Sequence, residues 1–201
     1  MRPPSPPKWW LVSDTGKFND RSFNQSSWAG MQAAQTDNPK LKISYVPSNS
    51  GNDYTPNLNA EVAKKCDAII SGMNDTPDRR KSVAFVDYLN VGQSLIGKKG
   101  NPLKIKTILD VCGRVAGAQV ATTNLETLQK FDKQCKAKGK KGIKIISFKE
   151  DPLGVIALKT GHLDVYESDS PPAVWYTTKD KSLQIVGKPI QPRLAAGIPG
   201  K

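Results

Sequence analysis

The chain has 201 residues, of which 37% are hydrophobic, and carries a formal net charge of +12. That length suits one large domain or two lobes of roughly 100 residues each. No apolar run approaches the ~20 residues of a membrane-spanning helix, and the three cysteines and single histidine show no zinc-ligand spacing. The lysine runs at 98–106 and 136–144 are broken by glycine and lack interleaved aromatics. They read as solvated faces that attract polyanions only nonspecifically, so no nucleic-acid partner is expected.

Residues 1–7 form a proline-rich leader with no apolar segment behind it, so no signal peptide is expected here. Lys8 to Ser13 reads as a first strand ending at Asp14-Thr15-Gly16. Ser22 and Gln25 make a capping box, after which Phe23, Trp28, Met31 and Ala34 recur at helical spacing as far as Asn38-Pro39. Leu41 to Val46 alternates as a strand, Thr55-Pro56 starts a helix, and Cys66 to Ile70 is a third strand. The order βαβαβ predicts a parallel, flavodoxin-like sheet.

Ser71 to Arg79 then leaves a strand end, with Thr76-Pro77 placed as a helix start. Free backbone N–H groups at such a start, with the planar fork of Arg79, suit the anionic end of a small molecule. The alternative is an ordinary capped helix with a solvated arginine. Ser82 to Leu89 leads out of this lobe, Val91 to Ile96 crosses into the next, and Gly97 to Pro102 is a turn. Ile105 to Leu109 reads as a short helix and Arg114 to Ala121 as a strand. Thr123 with Glu126 is a second capping box, opening a helix whose inner face holds Leu125, Leu128 and Phe131. A strand at Gly142 to Phe148, a helix from Asp151-Pro152, and strands at Leu163 to Tyr166 and Ser182 to Val186 follow. His162 falls at an exposed turn with no nucleophile or acid beside it, so neither a triad nor any other enzyme site is expected.

The segment CDAIISGMNDTPDRRKSVAFVDYL resembles the first-lobe signature of polar-amino-acid-binding proteins, the type II substrate-binding components of ABC importers. That resemblance implies contacts from Ser71, Asn74, Thr76 and Arg79 to a ligand α-carboxylate. Ala121-Thr122-Thr123 stands where the family has Gly-Thr-Thr, which implies carboxylate contacts from Thr122 and Thr123. Alanine is strained there if the position needs positive φ. Glu167-Ser168-Asp169-Ser170-Pro171 resembles the family segment whose aspartate holds the α-ammonium, which implies that role for Asp169. The alternative is Asp169 as a helix cap. In related members cysteines placed like Cys112 and Cys135 pair, implying a disulfide and an oxidising compartment. The alternative is two buried thiols, and Cys66 is left over in its strand.

The segments LVSDTGKFNDRSFNQSSWAGMQAAQ and SGNDYTPNLNAEVAKKCD resemble a different family, the basic-membrane-lipoprotein, type I proteins that bind purine nucleosides. On that resemblance Asp14, Phe23 and Asn24 are ligand candidates. The two resemblances cover about residues 8–67 and 66–200 and meet near Lys65 to Asp67, which reads as a chimera, engineered or recombined. The expected organisation is a leader at 1–7, one lobe at 8–90, a second at 91–187, and a truncated return crossing at 188–201. The expected fold is α/β and periplasmic-binding-protein-like, with two flavodoxin-like three-layer lobes. The family implies capture of a small polar ligand between lobes without a cofactor, an ABC permease as partner, and an extracellular, periplasmic or lipid-anchored setting. Exchange of the first segment is expected to weaken or abolish amino-acid binding. The alternatives are a fold chimera without a ligand, or nucleoside binding through the N-terminal segment.

Overall fold

The computed structural model describes residues 5–13, 18, 23–49, 53–70, 74–77, 79–81 and 84–200, with the side chains at 23, 54–55, 69–70, 79, 86–90 and 191–200 outside the description. The chain divides into two units, Met1–Asn90 with Ala195–Lys201, and Val91–Leu194.

In the first unit, β1 (Lys8–Val12) pairs in parallel with β2 (Lys42–Val46) on one side and β3 (Ala68–Ile70) on the other. The order β2-β1-β3 is the flavodoxin-like arrangement. Leu11 and Val12 are buried, as a central strand requires. Helix α1 (Phe23–Asp37) buries Met31, and α2 (Tyr54–Ala63) begins one residue before the expected Thr55-Pro56 start. Asp53 precedes α2 but does not cap it. Its carboxylate instead accepts from the Asn49 backbone at 2.8 Å. Cys66 is a free, buried thiol packed with Val12, Trp10 and Leu58.

The helix expected at Thr76-Pro77 does not form among the described residues. A 3₁₀ turn at Arg79–Lys81 stands in its place, and the chain enters β4 (Ala84–Lys98) too soon for stable helical turns.

The second unit holds the sheet β6-β5-β7-β4-β8, formed by β5 (Val115–Gln119), β6 (Lys144–Phe148), β7 (Val165–Asp169), β4 and β8 (Leu183–Gly200). β5 is parallel to β6 and β7, whereas β4 runs antiparallel to β7. Alternate residues face opposite layers. Leu95 and Val165 join α3 (Thr123–Ala137) in one core, while Ile96 and Tyr166 join α4 (Asp151–Lys159) and α5 (Ser170–Lys179) in the other. The short helix expected at Ile105 to Leu109 is instead a 3₁₀ turn at Ile108–Val111. Asp110 fixes its start by accepting from the backbone of Lys106 and Thr107 at 2.9 and 2.8 Å.

Cys112 and Cys135 are joined, with Cα atoms 5.7 Å apart across 23 residues. The pair ties the 3₁₀ turn to the end of α3. Tyr166 lies against Gly154 and is held there by its hydroxyl, which donates to Asp151 at 2.6 Å. A Cβ on Gly154 would sit 2.0 Å from that anchored ring. Gly154→Ala is therefore expected to lower stability by roughly 1–3 kcal/mol or more in a urea melt. Reduction of the disulfide is expected to cost about 3–4 kcal/mol by loop entropy, read as a lower midpoint with and without reductant.

Candidate functional site

Two parallel neighbours, β5 and β7, each end in a turn that opens a helix, and their ends lie side by side. This is where ligands bind in α/β sheets. At the end of β5 the chain turns through Ala121 with φ of +59°. Thr122 is the N-cap of α3. Its hydroxyl accepts from Leu125 N at 3.2 Å and donates to the Gln119 carbonyl at 2.7 Å. The cap thus lies one residue before the expected Thr123–Glu126 box, because the turn at Ala121 leaves Thr122, not Thr123, in extended backbone. The Thr122 hydroxyl is engaged within its own turn. What α3 offers outward is its first-turn N–H groups and positive dipole end.

At the end of β7, Asp169 occupies the N-cap position of α5 but makes no side-chain cap bond. Its Oδ1 accepts from Asn124 Nδ2 at 3.3 Å, so the first turn of α3 and this carboxylate are in direct contact. A group that accepts a cation and a group that accepts an anion are thereby juxtaposed.

Three side chains that the sequence reading did not assign to the site, Gln93, Thr127 and Glu167, complete this cluster. Gln93 of β4 pairs in register with Asp169 and is fully buried. One end of its carboxamide lies 3.2 Å from Thr123 Oγ1 and 3.0 Å from Asn124 Oδ1, and the other lies 2.9 Å from Thr127 Oγ1 and 3.1 Å from Glu167 Oε1. Glu167 is fully buried on the same strand face as Asp169. Burial, and then the Asp169 charge, push its carboxyl well above the ordinary range. The missed signal was polarity on a core period: Gln93 lies between buried Val91 and Leu95, and Glu167 between buried Val165 and Asp169.

In the first unit, Asn74 is buried and Thr76 half-buried in the segment after β3. The Thr76 carbonyl accepts from Arg80 N at 3.0 Å, and the Arg80 side chain pairs with Asp75. Arg79 lies in the 3₁₀ turn with its side chain outside the described residues, and Ser71 and Asp14 lie outside them altogether. Phe23 opens α1 with its side chain likewise outside, while Asn24 is buried. The described aromatic grouping of this unit is Phe18, Trp28 and Tyr45, with Phe18 and Trp28 ring centroids 4.5 and 4.9 Å from that of Tyr45.

The left-handed backbone at Ala121 crowds its Cβ against the following carbonyl. Ala121→Gly is expected to raise stability by about 1 kcal/mol, measured as a higher thermal midpoint, because the strain outweighs the glycine's extra unfolded-state entropy.

The model of the family "bacterial extracellular solute-binding proteins, family 3" matches residues 31–152. That match begins inside the segment whose motifs resemble the nucleoside binders. The arginine-binding protein ArgT of Corynebacterium glutamicum is 28% identical over 138 residues, covering 67% of this chain and 45% of that protein. The glutamine-binding protein GlnH of Bacillus subtilis is 28% identical over 124 residues, covering 61% and 42%. The nucleoside-binding protein BmpA of Lactococcus lactis is 45% identical, but over only 53 residues, 25% of this chain and 15% of its own. The chain thus spans less than half the length of these curated relatives. Among solved structures, an ancestral arginine-binding protein bound to arginine superposes with a TM-score of 0.74 at 24% identity, over 98% of this chain and 86% of the other. The P235GK mutant of ArgBP from T. maritima gives 0.73 at 22%, over 96% and 81%. These structural likenesses establish a periplasmic-binding-protein fold. The family match, extending over more than half of the residues, establishes descent: the chain belongs to the bacterial extracellular solute-binding proteins, family 3.

Proposed function

We propose that this chain captures a free polar amino acid without chemical change. The observation that carries the reading is the contact between Asp169 and the first turn of α3 through Asn124. An α-amino acid presents an ammonium and a carboxylate two bonds apart, and this cluster offers a carboxylate beside a helix amino terminus. In this reading Asp169 takes the ammonium, and Thr122 and Thr123 take the carboxylate through the start of α3. For the first unit, the same family resemblance names Ser71, Asn74, Thr76 and Arg79 as carboxylate-contact candidates. Relatives named for arginine and glutamine binding support a polar ligand. An ABC permease as partner and an extracellular or periplasmic setting belong to the same proposal. Among the described residues no helix is long and apolar enough to cross a membrane.

A second reading rests on the 45% identity to BmpA over 53 residues. In it the N-terminal segment is of separate descent, joined by engineering or recombination. Amino-acid binding is then weakened or lost, and a nucleoside contacts Asp14, Phe23 and Asn24.

One thermal-shift screen separates the two. A ligand that binds only the folded protein, present at about 100 times its Kd, raises the melting temperature by roughly 5–10 °C for a chain of this size. Arginine or glutamine is expected to give such a shift, and Asp169→Asn is expected to weaken binding by at least about thirtyfold. A shift with a purine nucleoside alone, or a cooperative melt that no ligand moves, would sink the amino-acid reading.

A further inference from the structure

Glu167 has no place in the family-based reading, yet it is fully buried beside the proposed ligand groups, and its Oε2 has no hydrogen-bond partner among the described residues. The hydrogen-bond directions around it form a chain that starts at Asp169. The Asp169 carboxylate accepts from Asn124, which commits the Asn124 nitrogen to that side and turns Asn124 Oδ1 toward Gln93, 3.0 Å away. An oxygen there calls for the Gln93 nitrogen, which then also donates to Thr123 Oγ1 at 3.2 Å. The Gln93 oxygen is left facing Thr127 Oγ1 at 2.9 Å and Glu167 Oε1 at 3.1 Å. A threonine hydroxyl can donate to it. A carboxylate cannot, so two oxygens at 3.1 Å require a proton between them.

We propose that Glu167 is a positioning residue that works as a neutral donor, its proton setting the direction of the chain from Glu167 through Gln93 to Thr123. With the proton in place, Thr123 Oγ1 accepts from Gln93, and its own hydroxyl hydrogen is directed away from Gln93. That is the polarity a ligand carboxylate at the start of α3 requires. When the proton is lost to solvent, the Gln93 nitrogen turns to the new carboxylate. Its oxygen then accepts from the Thr123 hydroxyl and from Asn124 N, 3.3 Å away, and opposes Asn124 Oδ1. Thr123 is then spent as a donor, and the Asn124–Asp169 contact is disturbed.

The surroundings favour the neutral form. In register, Glu167 is flanked by Leu95 of β4 and Ala118 of β5. Thr123, Asn124 and Thr127 of α3 meet Gln93 above it. Among these described neighbours the titratable group is Asp169, a like charge. Burial and that charge act in the same direction on Glu167.

The ligand part of this inference rests on the amino-acid reading, but the proton does not, and the experiment separates them. Infrared spectra of the ligand-free protein at neutral pH are expected to show the C=O stretch of a protonated carboxyl group, missing in Glu167→Gln. Its absence from the native protein would overturn the inference outright. Amino-acid affinity is then measured by calorimetry against pH, with arginine and glutamine as probes. The native protein is expected to lose about tenfold in affinity per pH unit once Glu167 ionises. Glu167→Gln, which keeps a donor facing Gln93, is expected to match the native low-pH affinity with no such fall. Glu167→Leu, of similar bulk but without a donor, is expected to bind more weakly at every pH. Parallel pH profiles for the native protein and Glu167→Gln would refute the positioning role. If neither protein binds either amino acid while the carboxyl band is present, the proposed function and the ligand role fall and the proton assignment stands.

Discussion

Ala116, Gly117 and Ala118 pair in parallel with Val165, Tyr166 and Glu167, and this short ladder decides where the chemistry of the second unit can lie. Parallel strands must be joined by crossovers, so their carboxyl ends fall on one edge, and each end here opens a helix. Neighbouring strands are ~4.8 Å apart, close enough for Asn124 at one helix start to reach Asp169 at the other. The ladder depends on small residues. A Cβ on Gly117 would lie 2.5 Å from Leu163 Cδ1 and 2.9 Å from the Phe148 ring, and Ala116 and Ala118 are fully buried.

The same arrangement places polar groups where an apolar core would serve stability better. Gln93, Glu167, Thr123, Asn124 and Thr127 are all buried within one sheet face and the helix above it. Each unsatisfied polar atom in such a place costs ~1–3 kcal/mol, so the cluster persists only because its members bond one another. On the opposite face Asp151 is satisfied differently, accepting from Tyr166 at 2.6 Å and Ser168 at 3.1 Å. One strand thus carries polar side chains on both faces. Those on the Asp151 face lock α4 to the sheet, and those on the Asp169 face meet the proposed ligand position.

Two ion pairs are described in the first unit. Asp75 is paired with Arg80, and buried Glu61 with Lys64, 2.8 Å away, whose ammonium also stands 5.2 Å from the centre of the Trp10 ring. The Arg80 pairing matters for reading the loop after β3. The Arg80 guanidinium is neutralised within the unit.

The parallel flavodoxin-like opening and the strand-then-helix order through β5, α3, β6 and α4 were legible in the chain alone. Those signals are local: apolar periodicity, Pro and Thr at helix starts, and contiguous motifs. The strain at Ala121 was posed by sequence as a condition and met by a φ of +59°. Helix boundaries were less legible. Thr76-Pro77 has the chemistry of a helix start, but the approach of β4 leaves no room for one. Only the tertiary structure could recruit Gln93 and Glu167. They lie 30 or more residues from Thr123 in sequence, and their proximity follows from β4 pairing antiparallel to β7 with Gln93 opposite Asp169. Strand register and burial are properties of the packed sheet. They bring a glutamine of the expected crossing strand and a glutamate just past the end of another expected strand into a single hydrogen-bonded cluster.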